Sequence, residues 1–388
     1  MSNANLSIRL AIVVTVSSTA NSFVLSFAEY VASLGNEVTV ICDGIERSSR
    51  SVGTGAVHQV PISMVRNPHP LKDFRSLVSL YGYLRKENFD LIAYGTPKAA
   101  LLCSIASLAA GVPKRVYQLR GLRLETTTGL KRKILALLEK LTSACSTNIL
   151  ANSLSLARVY RELNLNSRRE IDVLGLGSSN GVQLDYFSRD SNYPEIERQI
   201  AEQLRSGSSD LVVGFVGRLH PDKGVDTLIE AIRILRKGSA KVKLMLVGSD
   251  EGAEIDEKDF GGSIVKVGPV KDVRPYYAEM DVLILPSLRE GFPNVVLEAA
   301  SMSVPAVVSN GTGVIDSVED GTTGIVVPGR DPVSLASAIQ VLAQDRKLID
   351  ELGEAARTRV EREFDQEIVW ARTFEYLMKG LKQQDSTL

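Results

Sequence analysis

Two segments of the chain combine fixed cations, acids and glycines at spacings that suit phosphate and sugar chemistry. The first is GRLHPDKG, residues 217–224. It follows the apolar run LVVGFVG (211–217) and opens a helical pattern that continues to about Arg236. Gly217 therefore ends a strand at the carboxyl edge of a sheet, where open α/β folds bind ligands. Arg218 and Lys223 flank the turn, and Gly224 lets backbone approach closely. Two cations beside a helix N-terminus suit a diphosphate; a charged, solvated loop is the competing reading. The second segment is EGFPNVVLEA, residues 290–299, again after a strand, DVLILPS. Gly291 and Phe292 lead into Pro293, which suits the first helical position. Asn294, Val295 and Val296 then present backbone N–H groups with no intrahelical partner, and the helix dipole favours an anion there. A carboxylate beside a diphosphate is repelled, so the two glutamates call for hydroxyl partners. Glu298 is placed to hold a ribose diol, and Glu290, before the helix, a sugar hydroxyl. Acids that merely complement the dipole are the plainer reading of this pair.

Several chemistries are excluded or disfavoured. No G-x-x-x-x-G-K-[ST] loop or G-x-G-x-x-G fingerprint occurs. The three histidines, His58, His69 and His220, lack metal-ligand spacing, so no metal is expected. Cys42, Cys103 and Cys145 have no paired spacing, which argues against a disulfide framework and fits a reducing cytoplasm. No apolar run of about 18 residues is present. The start, MSNANLSIRL, lacks the pattern of a secretory signal. What remains is chemistry in which arginine and lysine stabilise a leaving phosphate.

The elements that must position these residues come from alternation. With 388 residues and 44% of them hydrophobic, the chain is long enough for two domains. IRLAIVVTVS (8–17), EVTVIC (37–42), DLIAYG (90–95), KRVYQL (114–119) and TNILAN (147–152) are strand candidates. Helical patterns near 22–34, 71–87, 98–109, 129–144 and 153–163 separate them. The stretch DGIERSSRSVGTG (43–55) looks like a loop. A second series, 211–217, 241–248, 281–286 and 304–309, repeats the style, with RSGSSD (205–210) as a loop before it. Such alternation argues a parallel sheet with helices on both faces, twice over. The Gly/Ser/Asn-rich stretch at 175–182 marks the boundary. Three helices close the chain, at about 331–345, 347–363 and 366–381, and Trp370, Phe374, Leu377 and Leu381 share one face of the last as packing residues.

The near-zero balance, a mean hydropathy of +0.03 and a net charge of -1, hides an asymmetry. Residues 1–180 carry 21 basic and 12 acidic side chains, net +9; the remaining 24 and 34 leave residues 181–388 at net -10. A basic first half suits nucleic acid, an anionic lipid surface or a phosphate-bearing substrate.

G-R-L-x-x-x-K-G at 217–224 and E-G-F-P-N-V-V-L-E-A at 290–299 resemble the donor-site motifs of glycosyltransferase family 4, including its E-x7-E spacing between Glu290 and Glu298. S-S-N-G-V (178–182) is similar to that family's linker element, with Gln183 and Asp185 departing from its usual continuation. TPKAALL (96–102), RGLRLET (120–126) and GLKRKILALLEKL (129–141) resemble a bacterial branch that builds capsule, O-antigen and exopolysaccharide units, so the likeness spans nearly the whole chain. The departure is a missing histidine: Tyr94-Gly95 precedes T-P-K, and Gln118 stands near Arg120. The resemblance implies a GT-B fold, two doubly wound Rossmann-like domains facing a cleft. It implies an acceptor domain at 1–178, a nucleotide-sugar domain at 179–365 and a final helix, 366–388, packing back on the first. It implies a retaining transfer from a nucleotide-sugar, UDP-linked before GDP-linked, onto a saccharide carried by undecaprenyl diphosphate, with no metal. In that scheme Arg218, Lys223 and Glu290 are catalytic. Gly217, Gly291, Phe292, Pro293, Asn294, Val295, Val296, Glu298 and Val270, in the G-P-V turn at 268–270, bind the donor. Lys98, Arg120 and Arg123 meet the acceptor diphosphate.

A lipid-linked acceptor also implies a cytoplasmic protein peripheral on the inner leaflet, reached through Lys131, Arg132 and Lys133 at the head of an amphipathic helix. An ordinary helix packed on the sheet with a solvated basic end is the alternative. Two further readings compete with the transferase: a nucleotide-sugar 2-epimerase, which would convert the donor without acceptor, and a non-catalytic membrane-associated partner with a degenerate donor site. Nucleic-acid binding is disfavoured, because aromatic content is only 6% and none interleaves the basic residues.

Overall fold

The computed structural model describes residues 7–65, 67–205, 211–238, 241–253, 255 and 260–381. The chain divides into two compact units: residues up to Ser179 together with Trp370 onward, and Asn180–Val369. Each is built on its own sheet.

In the first unit the apolar runs become β1 (Arg9–Val16), β2 (Glu37–Asp43), β3 (Ser48–Val52), β4 (Gly55–Pro61), β5 (Leu91–Tyr94), β6 (Lys114–Leu119), β7 (Asn148–Ala151) and β8 (Ile171–Asp172). Their spatial order is β3-β4-β2-β1-β5-β6-β7-β8. Central strands such as β1 and β5 are buried on both faces, which is why they are written in continuous Val, Ile, Leu and Ala. The sheet is parallel except for β3, which pairs antiparallel with β4 across a turn at Gly53-Thr54. The 43–55 stretch is thus not simply a loop. Its strand SSRSV escapes a sequence reading because it is an edge, exposed along its length, with no apolar alternation to betray it. The expected single helix at 22–34 is two, Ser17–Phe23 and Leu25–Ser33, interrupted at Val24.

The second unit contains β9 (Leu211–Val216), β10 (Val242–Val247), β11 (Ile264–Gly268), β12 (Val282–Leu285), β13 (Ala306–Ser309) and β14 (Gly324–Val327), all parallel, in the order β11-β10-β9-β12-β13-β14. The two outermost strands are the ones the apolar runs do not reveal, since an edge strand needs fewer buried positions. Residues 206–210 of the expected RSGSSD loop lie outside the described residues. In both sheets the order reverses beside the first strand, between β1 and β5 and between β9 and β12. Such a reversal opens a crevice at the carboxyl ends of the two strands.

Helix Gln366–Met378 runs from the second unit into the first, where Trp370 packs with Phe27 and Tyr30, Phe374 packs against the same core cluster, and Leu377 is fully buried. Its last carbonyls are held by one cation. Lys114 Nζ donates to Tyr376 O, Leu377 O and Lys379 O at 2.9, 2.8 and 2.6 Å. Burial lowers the pKa of this ammonium to about 8, and the helix dipole offsets part of that cost. Lys114→Met leaves three carbonyls without their donor and is expected to destabilise the protein by about 1–3 kcal/mol, measured as a shift in the urea midpoint at unchanged slope.

Candidate donor and acceptor sites

The two motif segments of the second unit are the loops at its sheet reversal. Residues 217–224 leave β9, close a short 3-10 turn at Pro221–Lys223, and enter the helix Val225–Lys237. Residues 286–293 leave β12 and enter the helix Asn294–Ser301. The loops are bound to each other. Leu288 N donates to Asp222 O at 3.0 Å, and Arg289 Nη2 to Asp222 Oδ2 at 2.9 Å. Gly224 sits at φ +71° with its Cα against the Pro286 carbonyl; a Cβ there would lie 2.1 Å from that oxygen, so only glycine fits. Across this seam Lys223 Nζ donates to Glu290 Oε1 at 2.5 Å, with both side chains largely out of solvent.

A third loop fixes Glu290. Residues 310–313, Asn-Gly-Thr-Gly, leave β13, and Glu290 N donates to Thr312 O at 2.7 Å. Gly313 is at φ +73°, and a Cβ on it would stand 2.3 Å from Glu290 O. The carboxylate is therefore set by its backbone, locked from both neighbouring strands, rather than by a flexible loop. Arg218 is differently placed. It is exposed and forms an ion pair at 2.7 Å with Glu251, in the loop after β10, whose carboxyl it holds below the usual range.

At the head of the second helix, Pro293 is the residue before the helix, with extended backbone (φ -82°, ψ 106°), and not its first residue. The expected run of three N–H groups shortens accordingly. Val296 N donates to Pro293 O at 3.2 Å, a one-turn closure that takes it out of the set. The N–H groups of Asn294 and Val295 keep the role; beside them the Asn294 side-chain oxygen, an acceptor, is buried and without a hydrogen-bond partner among the described residues. Phe292 is buried and packs against Phe364 with tilted rings, centroids 5.3 Å apart, so it packs the turn. Glu298 is half-buried one turn further in, and Tyr277 Oη donates to its Oε2 at 2.8 Å. Burial raises the Glu298 pKa to about 7, and the tyrosine bond pulls the other way. Gly217, Gly248 and Gly268 end three adjacent strands, with Gly217 N donating to Val247 O and Gly248 N to Gly268 O. Val270 follows, half-buried against the core.

In the first unit the T-P-K and R-G-L-R segments also fall at carboxyl ends, of β5 and β6 beside the sheet reversal. Thr96, at φ +66°, bonds through its hydroxyl to Thr15 N (3.1 Å) and Thr15 Oγ1 (2.7 Å), pinning β5 to β1. Lys98 is committed to Asp73 (2.7 Å) and Asn67 O (2.6 Å). Arg120 crosses Gly95 and donates to Gln118 Oε1 at 2.8 Å; burial lowers its pKa to about 10, and among the described residues no carboxylate pairs with it. Arg123 is exposed on the 3-10 turn Arg123–Thr126. Among the described residues no group of three or more His, Cys, Asp or Glu is placed to hold a metal ion.

Residues 18–177 match the model of the glycosyl transferase 4-like domain, and residues 210–345 that of glycosyl transferases group 1. The capsular polysaccharide biosynthesis glycosyltransferase CapM of Staphylococcus aureus is 37% identical over 319 residues, 81% of this chain and 82% of that protein. The chain belongs to glycosyltransferase family 4. An Escherichia coli relative, a UDP-Gal:alpha-D-GlcNAc-diphosphoundecaprenol alpha-1,3-galactosyltransferase, is 27% identical over 311 residues, 77% of each chain. Among solved structures, sucrose-phosphate synthase from Thermosynechococcus elongatus superposes with a TM-score of 0.75 at 19% identity, covering 95% of this chain and 98% of that one. Anabaena Alr3699/HepE in complex with UDP and glucose does so at 0.72 and 19%, covering 96% and 100%. These two establish the fold, GT-B, and nothing beyond it.

For this family 4 glycosyltransferase, five contributors at the candidate sites went unread in the sequence: Asp222, Arg289, Thr312, Tyr277 and the Glu251 partner of Arg218. The N-G-T-G turn did carry a signal, since it repeats the strand-then-glycine pattern of Gly217. The others act through contacts between segments far apart in the chain.

Donor binding should depend on the ionisation of Glu298, since a carboxylate accepts from two hydroxyls and a protonated carboxyl donates to one. The donor KM is therefore expected to fall as pH rises through about 7. Tyr277→Phe removes the bond that holds this pKa down and should move the inflection to higher pH. Glu298→Gln should flatten it, and an inflection unmoved in Tyr277→Phe would assign it to another group.

Proposed function

We propose that this glycosyltransferase transfers a sugar, with retention of anomeric configuration, from a UDP-sugar to a saccharide carried on a lipid diphosphate, in the assembly of a bacterial surface polysaccharide. The observation that carries the reading is the Lys223–Glu290 pair at the sheet reversal, beside the Asn294 and Val295 N–H groups. Lys223, Arg218 and those N–H groups supply positive charge where a diphosphate leaves, which is where such a transfer develops its charge. The leaving diphosphate takes the acceptor proton. Glu290, held by Thr312, and the partnerless Asn294 carboxamide oxygen accept hydrogen bonds from the donor sugar. Glu298 accepts from the ribose, and the backbone around Val270 receives the base. The S. aureus relative's name supports the polysaccharide, and the E. coli relative's supports UDP and the undecaprenyl diphosphate carrier. Neighbours solved with UDP are in keeping with that donor.

On the acceptor side, Arg120 is the residue that best fits a diphosphate, because a half-buried guanidinium without a carboxylate partner is costly until an anion arrives. Lys98 already has Asp73, so its contribution is to orient the segment, and Arg123 adds an exposed charge. A carrier lipid places the enzyme on the inner face of the membrane.

The test is a panel of UDP- and GDP-sugars with undecaprenyl-diphosphate-linked saccharides, the product anomer read by NMR. Inversion of configuration would sink the mechanism, and conversion of donor without acceptor would favour an epimerase. Lys223→Ala should lower kcat about a hundredfold, the effect of losing one preorganised charge contact. Arg120→Ala should raise the acceptor KM while leaving UDP affinity unchanged; equal loss of both would remove it from the acceptor site.

A further inference from the structure

Helices Pro70–Glu87, Pro97–Ala109 and Gly129–Cys145 form one layer on the first unit's sheet, the middle helix packed against both others. Their inward residues, such as Leu80, Leu84 and Ala106, join one core cluster. Their outward faces are not those of a solvated layer. On the first helix Leu71, Phe74 and Val78 form an exposed stripe, Leu71 at 74% and Phe74 at 65%. On the third, Leu130, Ile134, Leu137 and Leu141 form another, Leu130 at 73% and Leu137 at 67%. Leu108 adds an exposed apolar side chain on the helix between them. Spacings of three and four residues make each stripe a continuous face. Scattered exposed leucines need no explanation, whereas contiguous ones of this extent mark an interaction surface.

The charges identify what it meets. The three helices carry nine basic and three acidic side chains. Every acid is already engaged: Asp73 with Lys98, Glu87 with Arg9, and Glu139, turned inward, with the hydroxyls of Tyr117 and Tyr160. Of the nine cations only Lys98 is paired inside the layer, and the other eight side chains are exposed. A face that is apolar along its stripes, and whose exposed charge is all of one sign, is complementary to an anionic bilayer surface. A second copy of the chain would instead set like charges against each other.

We propose that this three-helix layer is a membrane-docking face. The Leu71–Phe74–Val78 stripe and that of the Gly129–Cys145 helix enter the acyl boundary on either side of the middle helix, and Lys72, Arg75 and the 131–133 cluster contact anionic headgroups. This deepens the membrane part of the proposed function and adds the first helix as an insertion element. It does not depend on the acceptor's identity. Among the described residues no helix is long and apolar enough to cross a membrane, so the contact is with one leaflet.

The full chain is floated with vesicles of phosphatidylcholine alone or with about a third phosphatidylglycerol, and UDP binding is measured in vesicle-free buffer as a separate readout. Binding is expected to the anionic vesicles and not to phosphatidylcholine. Each cation near such a surface strengthens binding roughly fivefold, so Lys131/Arg132/Lys133→Ala should weaken it about a hundredfold. Leu71→Ser/Phe74→Ser should weaken it at least about tenfold, with UDP binding and thermal midpoint retained. Phe74→Trp should give emission that shifts to the blue on adding anionic vesicles, against the constant background of Trp370, the sole native tryptophan. Wild-type affinity in Leu71→Ser/Phe74→Ser, or unshifted Phe74→Trp emission, would overturn the proposal. So would a solution dimer that Leu137→Ser dissociates, which would assign the face to a second copy of the chain. Loss of UDP binding in the wild type would count against the donor reading and leave the docking result standing.

Discussion

The second unit depends on the seam between the loops leaving β9 and β12. Neighbouring parallel strands whose crossovers run to opposite sides leave a gap at their carboxyl ends, and the gap must be closed without filling it. Here it is closed by backbone: Gly224 lies against the Pro286 carbonyl, and Leu288 N reaches Asp222 O. With main chain that close, the side chains of Lys223 and Glu290 meet above the seam at 2.5 Å. A larger residue at position 224 would push the loops apart and separate the ion pair. The arrangement explains why a glycine belongs directly after the lysine and why a cation and an acid from loops 67 positions apart share one point.

The same seam accounts for the division of labour between the two glutamates. Glu290 precedes its helix and is locked by the Thr312 carbonyl and the Gly313 turn, so its carboxylate has one position and a cationic partner. Glu298 is inside the helix and half-buried, and its neighbour is a phenol rather than a cation. Burial raises its pKa to about 7 because nothing positive offsets the lost hydration. Seven residues of spacing thus separate an acid paired with a lysine from one whose charge is set by pH near neutrality. Sequence alone shows two equivalent letters; the difference lies in Lys223 and Tyr277, which come from other segments.

Legibility followed the same line. The buried central strands, the helices between them and the two motif loops could be read because periodicity and strand-then-glycine punctuation are local. Edge strands β3, β8, β11 and β14 could not, because an edge strand is only partly committed to a core and its composition is free to look like loop, and β4, inside the sheet but only partly buried along its length, went unread with its neighbour β3. The Pro293 register was off by one residue: a proline suits either the position before a helix or its first turn, and tertiary contacts choose. That single step removes Val296 N–H from the anion set and leaves two. Lys98, expected from its T-P-K motif to meet an acceptor diphosphate, faces Asp73 across 25 residues, a pairing that no local pattern announces.

The basic first half shows how a net charge acquires meaning only with burial. A surplus of nine positive charges over residues 1–180 suited several polyanions equally. In the folded unit the acids of the 70–87, 97–109 and 129–145 layer are consumed by Lys98, Arg9 and two tyrosines, while its cations stay in solvent beside apolar stripes. Nucleic acid would use such cations but gains nothing from Leu71, Phe74 or Leu137, whose exposure costs free energy in water. A lipid surface uses both, the headgroups meeting the cations and the acyl boundary covering the leucines. The apolar stripes, and not the charge, are what separate the candidate polyanions.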